Sequence, residues 1–586
     1  MLGVSMRDEG APGRADGVRL LALATGAFFF LVYARRASQS LVLDGDSAEL
    51  VTAAIVWGVP HAPGYPLFTA IGHLVALLGS SDPALATGRV HLTSAFFHAG
   101  AVAATVGTVY QMTRNRIAAA VAGCALGLGR SFFLGSLYAE VFPLNDLFVA
   151  LLFLLAMEVR ERKRSPVLFA ACVGMASAHH MMIALAFPGL AILVCRPLAD
   201  LVRKEPRRLA TLGFAAIVPF LACYALVPLA AARDPALSWG DVHDVRSLVA
   251  LMTRHDYGGL LSPVHGGGHG TAEARVLAYG VLLYTSFGVV PLGAALIGAL
   301  RLGRRDSSVA SALLVTFLLA GPLFAAVNAV DISSEEGLAF FERFATMSAV
   351  PVAFFVGTFV DAGLSLPVRP SAKVLGGAAL AIGWLSPALV HARLLDRSHD
   401  DRGADFAHDL VFGAPDGALL LLSGDVPTSA ALYVCAVERA CGRRTTVSPG
   451  GLALRWAMAQ FRRRNPGIPV PWSSGPALKR THELAAAQPA GRMIFAYPDL
   501  LEKDPLLRQT FDVLPDHLLF RLWPLATNPA LEREAFIAAA ADMTGGGCRG
   551  CDLAEPPDHP SQEMQLVHAY EAAAINRARF ASEPSR

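Results

Sequence analysis

The chain has 586 residues, 54% of them hydrophobic and only 16% charged, with a mean hydropathy of +0.46. Ordinary soluble domains carry about 25% charged residues. A wholly soluble protein is therefore excluded, and an integral membrane protein with one membrane part and one soluble part is expected. The net charge of +2, with no basic tract in the chain, leaves no nucleic-acid partner to expect.

A bilayer-crossing helix needs roughly 20 apolar residues. Runs with little or no charge occur at 20–34, 90–111, 117–137, 141–157, 166–195, 209–232, 276–300, 307–330, 345–360 and 374–390. The run at 166–195 is too long for one untilted span. Its centre, Gly174-Met175-Ala176-Ser177-Ala178-His179-His180, reads as a polar break between two short helices, which brings the expectation to about 11 crossings. The first run follows Arg14 and Arg19 and reads as an uncleaved anchor, because Tyr33-Ala34-Arg35-Arg36-Ala37 is a poor cleavage site. Lys and Arg set the orientation. With a cytoplasmic N-terminus, the inside segments 1–19, 112–116, 158–165, 196–208, 301–306 and 361–373 hold 19 of them in about 64 residues. The outside segments 35–89, 130–140, 233–275 and 331–344 hold 9 in about 123.

The first outer loop carries Asp44-Gly45-Asp46-Ser47-Ala48-Glu49. Asp46 and Glu49 fit a capping box opening a helix over 47–57. They equally fit a site at the membrane surface, and one Asp oxygen can cap while the other faces a substrate. Asp44-Gly45-Asp46 also offers hard oxygens to a divalent metal, although the pattern alone does not support one. His61-Ala62-Pro63-Gly64-Tyr65-Pro66 follows, its prolines forcing a rigid extended entrance. The apolar run 67–78 after it is too short to span and suits a second helix in the interface. Glu140 is the one carboxylate between Asp82 and Asp146 and falls on the same side as Asp46, with Asn145 and Asp146 a turn deeper. An acidic residue within a span is a functional candidate by default.

His179-His180 occupies the break in the long apolar run. The outer loop 233–275 holds Ser238-Trp239-Gly240-Asp241 and Arg254-His255-Asp256-Tyr257, which suit an interfacial aromatic belt. His265-Gly-Gly-Gly-His269 reads as a linker. Arg343 stands at the outer entrance of a late span, either snorkelling or clamping an anion. Residues 391–586 read as a small extracytoplasmic α/β domain after a membrane domain of 1–390. Strands are expected at Ala418–Ser423 and Met493–Tyr497, a helix over 451–464 and a polar end at about 555–586. Cys435, Cys441, Cys548 and Cys551 lie where disulfides persist, and Cys548-Arg-Gly-Cys551 suits a local bridge better than zinc. No internal repeat is visible, which weakens a transporter built from inverted halves.

Several segments in their order carry a resemblance. They are Asp46-Ser47-Ala48-Glu49, His61-Ala62-Pro63-Gly64-Tyr65-Pro66, Arg89-Val90, Ala139-Glu140-Val141-Phe142-Pro143-Leu144-Asn145, His179-His180 and Trp239-Gly240-Asp241. Together they resemble a bacterial family of polytopic membrane proteins, with a domain of unknown function, whose eukaryotic relatives are protein O-mannosyltransferases of the transmembrane protein 260 type. The resemblance covers about residues 40–260, with Glu342-Arg343-Phe344 a further match, and fades in the tail. The sequence departs from the family pattern at Ala62, where Pro is common, and at His91, where Asn is common.

That family is similar to the GT-C glycosyltransferases. The resemblance implies a mostly helical transmembrane bundle with two surface helices in the first outer loop, and an inverting transferase. Its donor would be a polyprenyl-phosphate-linked sugar and its acceptor a hydroxyl on a protein or an envelope glycolipid, at the outer face of the bacterial inner membrane. Asp46 is the expected base, with Glu49 and Glu140 orienting it or holding sugar hydroxyls. His61, Tyr65, His179, His180, Trp239, Asp241 and Arg343 are the expected substrate-binding residues. No cofactor is expected. The rival expectations are a lipid-linked glycan flippase and an inactive envelope scaffold.

Overall fold

The computed structural model describes residues 12–259, 270–371, 395–473, 477–524 and 564–582, with scattered positions between 373 and 385. In chain order the helices of the membrane part are α1 (Pro12–Ala34), α2 (Ser47–Val56), α3 (Pro66–Ala76), α4 (Pro83–Thr113), α5 (Arg116–Gly127), α6 (Arg130–Leu134), α7 (Phe142–Arg160), α8 (Pro166–His179) and α9 (Phe187–Lys204). They continue with α10 (Arg207–Ala231), α11 (Val245–Met252), α12 (Ala272–Phe287), α13 (Val289–Arg305), α14 (Ser307–Leu318), α15 (Phe324–Val327), α16 (Glu335–Glu342) and α17 (Thr346–Leu364). Seven helical segments among the described residues are long and apolar enough to cross a membrane: Asp16–Ala34, Pro83–Thr113, Phe142–Arg160, Met181–Lys204, Arg207–Ala231, Ser307–Val327 and Glu335–Leu364.

Local chemistry starts many of these helices. Prolines in the first turns of α3, α4, α7, α8 and α9 occupy positions whose N–H has no helical partner. Asn115 caps α5 and Asp306 caps α14 through their side chains. The centre of the bundle is α4, which packs against α1, α5, α7 and α17. Small residues on these helices let large ones interlock, so Phe29, Tyr33, Phe153 and Phe354 are fully buried. The Tyr33 hydroxyl donates to the Gly127 carbonyl at 2.7 Å, which satisfies its polar tip inside the bundle.

The two short helices of the first loop stand where the sequence places them. α2 lies under helix Asp425–Ala436 of the C-terminal part, while α3 leaves Leu74 exposed, followed by exposed Leu77 and Leu78. The long run at 166–195 breaks at His180, as its polar centre implies. Two expected spans differ. The run 117–137 is α5, a break at Leu128-Gly129, and α6. The run 276–300 is not one straight span: α12 and α13 meet at a 104° bend. Gly288 sits there with φ 74°, a conformation glycine adopts without a Cβ penalty. The run 374–390 lies largely outside the described residues, as do His265, His269, Cys548 and Cys551.

Segments expected on one side of the membrane meet one another. At one end Arg114 pairs with Glu161 at 3.2 Å, Arg160 with Asp306 at 2.7 Å, and Arg305 with Asp361 at 3.1 Å, while Asn115 donates to Asp361 at 3.2 Å. The loops holding Asp46, Glu140, Trp239 and Arg343 gather at the other end, against the C-terminal part.

That part is built on a five-stranded sheet of β1 (Leu419–Leu421), β2 (Thr445–Val447), β3 (Ile494–Ala496), β4 (Phe511–Asp516) and β5 (Leu519–Pro524) in the order β2-β1-β3-β5-β4. β1 runs parallel to both β2 and β3, with Leu420 opposite Thr446 and Phe495, and β5 is antiparallel to β3 and β4. The two expected strands are β1 and β3, and the expected helix is Arg455–Arg464. Cys435 and Cys441 form a disulfide. Within the expected polar end, Met564–Ser582 is a helix that buries Leu566, and its Tyr570 hydroxyl donates to Asp409 at 2.6 Å.

Candidate active site

The site begins at a turn. Gly45 has φ +58°, and a Cβ there would stand 2.2 Å from Glu140 Oε1 and 2.7 Å from Arg343 Nη1. Glycine therefore lets the backbone approach a carboxylate and a guanidinium together. One nitrogen of Arg343, Nη1, donates to Asp46 Oδ2 at 3.0 Å and to Glu140 Oε1 at 2.9 Å. Glu140 also accepts the Asp46 backbone N–H at 3.3 Å and, through Oε2, the Val141 N–H at 3.2 Å. The Glu140 side chain is 2% exposed, that of Arg343 11% and that of Asp46 24%. Asp46 is thus the member of the trio most open to a substrate. The apolar faces of Phe340, Phe142 and Phe344 surround the guanidinium at 3.9, 5.5 and 5.6 Å.

The capping box is not formed. Asp46 occupies the N-cap of α2 but its side chain makes no capping hydrogen bond, and Glu49 turns to His61. Glu49 Oε1 accepts the His61 backbone N–H at 2.8 Å, and Oε2 lies 2.5 Å from His61 Nδ1. Burial alone would lower the His61 pKa, but the carboxylates of Glu49 and Asp46 outweigh it and raise the value to about 9. The two carboxylates therefore favour the imidazolium form of His61 at neutral pH. Its Nε2 lies 3.3 Å from the Tyr65 hydroxyl, whose pKa burial and then Asp46 raise well above the usual value. Glu140 has a pKa raised above an ordinary carboxyl, first by burial and then by Asp46, with Arg343 opposing both.

Tyr65 links this group to the break between α8 and α9, stacking on His180 with ring centroids 5.8 Å apart. His180 Nδ1 accepts the Met182 N–H at 3.1 Å, which makes it a neutral ring rather than a cation. His179 Nε2 lies 2.8 Å from the Val141 carbonyl and holds the chain beside Glu140. Trp239 approaches His61 edge-on at 6.4 Å. Asp241 belongs to a different set of contacts, with Arg463 at 3.2 Å and Gln460 at 3.4 Å. Asp46, Glu49, His61, Tyr65, Glu140, His179, His180, Trp239 and Arg343 are thus brought together by contact or by one intermediary, while Asp241 faces the C-terminal helix.

Several residues of the site were not singled out from the sequence. Gly45 is one, and its place between two aspartates was the available signal. Asp44 points away from Asp46 to Arg397, which binds it in a buried pair and stands 5.3 Å over the Tyr138 ring. The two aspartates are therefore engaged by different arginines. Among the described residues no group of three or more His, Cys, Asp or Glu is disposed to hold a metal ion. Trp456 is a further addition, described below.

The fold is GT-C-like, a mostly helical bundle with a small C-terminal sheet. It matches ArnT from Cupriavidus metallidurans, both bound to undecaprenyl phosphate and in the apo state, with TM-scores of 0.52 and 0.51 at 13% and 12% identity. These matches cover 88% and 87% of this chain and 99% and 98% of the other, and at such identity they speak to fold alone. In sequence the chain is TMEM260-like. Residues 46–200 match the Protein O-mannosyl-transferase TMEM260 N-terminal domain family. Protein O-mannosyl-transferase TMEM260 of Mus musculus is 28% identical over 500 residues, covering 81% of this chain and 68% of the mouse protein. The Dictyostelium discoideum protein of that name is 23% identical over 441 residues, covering 68% of this chain and 53% of its own length.

Proposed function

We propose that the chain transfers a sugar, mannose by analogy with its relatives' name, from a polyprenyl-phosphate donor to a hydroxyl acceptor. The acceptor class is a protein Ser or Thr, with an envelope glycolipid as the competing acceptor. The setting is the extracytoplasmic face of the inner membrane, with a cytoplasmic N-terminus. This orientation rests on the Lys and Arg bias, and the gathering of the same segments at opposite ends of the bundle supports it.

The observation that carries the proposal is the Asp46–Arg343–Glu140 trio at the end of a GT-C bundle. Asp46 is the general base. As the acceptor oxygen attacks the anomeric carbon, its proton passes to Asp46 and the bond to phosphate breaks, so polyprenyl phosphate leaves and the anomeric centre inverts. A phosphate leaves as a stable anion, so a second carboxyl as acid is not required. Arg343 orients Asp46, since its Nη1 is already shared by two carboxylates. The positive charge of His61, held by Glu49, supplies stabilisation to the departing phosphate.

Incubating purified protein with polyprenyl-phosphate mannose and Ser/Thr peptides, with mass spectrometry of the products, tests this. Mannosylated peptide from the native protein and none from Asp46→Asn is the expected result. Unchanged transfer by Asp46→Asn would remove the assignment of the base.

A further inference from the structure

The C-terminal part reaches into the site through one helix. Helix Arg455–Arg464 is tied to the 234–241 loop along its length. Gln460 donates to the Ser238 carbonyl at 3.2 Å, Arg463 pairs with Asp241 at 3.2 Å, and Arg464 donates to the Ala236 carbonyl at 2.9 Å and binds Asp234. The same loop is laid against the segment that carries His61. The Val59 N–H donates to the Leu237 carbonyl at 2.9 Å, and the Trp239 N–H to the Val59 carbonyl at 2.9 Å.

At the near end of the helix stands Trp456. Its indole N–H donates to Asp256 Oδ2 at 3.0 Å, and that same oxygen accepts the Trp239 indole N–H at 3.2 Å. The two indoles lie 5.3 Å apart, and Trp239 stacks on Tyr257 at 5.9 Å with 6° between the planes. Trp239 and Tyr257 both approach His61 at 6.4 Å. One carboxylate thus takes up the polar edges of two indoles and turns their rings into a fixed, half-buried aromatic wall beside the charged cluster.

We propose that Trp456, acting through Asp256, positions Trp239 and Tyr257 as the wall on which the pyranose ring of the transferred sugar stacks, so that the C-terminal part completes the substrate site. A pyranose presents a face of C–H groups that complements the negative face of an aromatic ring. Its hydroxyls need charged hydrogen-bond partners at the rim, and His61 with Glu49 stand there. A preformed stacking surface with a few placed polar groups is the ordinary composition of a small-ligand site. Trp456 is a positioning residue here, and its effect falls on the sugar rather than on the lipid.

The inference rests on the proposed transferase reading, and the experiment separates the two. Full-length protein in detergent is titrated with polyprenyl-phosphate mannose and, in parallel, with polyprenyl phosphate lacking the sugar. Trp456→Ala weakens binding of the mannose-bearing lipid by tenfold or more and raises its KM in the transfer assay, while the sugarless lipid binds as in the native protein. Trp456→Phe, which keeps a ring but cannot reach Asp256, falls between. Gln460→Ala, which removes an anchor of the same helix without touching the rings, stays within twofold of native. Equal loss of both lipids in Trp456→Ala, or equal loss in Gln460→Ala, overturns the inference in favour of simple anchoring, as does native behaviour of Trp456→Ala. If the native protein binds and turns over no mannose-bearing lipid, the transferase reading fails and takes this inference with it.

Discussion

The two ends of the bundle hold their charges in opposite ways. At the end expected to be cytoplasmic, Arg160–Asp306, Arg305–Asp361 and Arg162–Asp200 are spread over the surface, with side-chain exposures from 16% to 69%. At the other end Arg343, Asp46 and Glu140 share one enclosed point, with exposures of 11%, 24% and 2%. Exposed pairs are inexpensive to form and worth little, whereas taking three ionisable groups out of water costs several kcal/mol per ion unless each is matched. A chain that only needed stability would use the first arrangement at both ends. The costly arrangement stands where the expected chemistry needs a carboxylate fixed in direction.

This contrast is open to attack by mutation. Asp46→Asn gives the largest effect on activity: loss of a general base costs about 10²–10⁴-fold in turnover, read by transfer to peptide, with donor binding retained. Arg343→Met leaves Glu140 and Asp46 facing each other without a cation. The expected loss is about 3–5 kcal/mol of stability, read by unfolding in detergent, and adding Glu140→Gln recovers part of it. Gly45→Ala forces a side chain into a left-handed backbone against Glu140. It is expected to cost about 1–3 kcal/mol and to lower transfer while the helices keep their circular dichroism.

The next test is a pH dependence. The His61 pKa is raised in the folded state to about 9 from 6.5. Its contribution to stability is therefore complete below about pH 6.5 and is lost as pH rises through about 9. Melting temperature should fall across that window in the native protein, and His61→Gln should flatten the fall. Arg160→Ala at the opposite end is the smallest perturbation, with a stability change within about 1 kcal/mol and unchanged transfer. A loss of activity there would break the comparison between the two ends.

Most of the helices were legible in the sequence because they rest on a local quantity, apolar run length. The break at His180 and the short helices α2 and α3 were legible for the same reason. Three things were not. The Asp-x-x-Glu pattern satisfies a capping box locally, but Arg343, 297 residues away, holds one carboxylate of the pair, and His61 takes the other. No local pattern shows that competition. The run 276–300 is apolar throughout and reads as one span, while its sharp bend depends on the backbone freedom of Gly288. Trp456 sits in a helix that looks like an ordinary basic surface element, and only the fold brings its indole to Asp256, 200 residues earlier.

The pairing of Asp44 with Arg397 also has a consequence for how the protein is made. Asp44 precedes nearly all of the bundle, whereas Arg397 follows α17, and both side chains are almost fully enclosed. Synthesis proceeds from the N-terminus, so this buried contact cannot form until residue 397 has been delivered to the same end, which makes it one of the last long-range links available to the first loop.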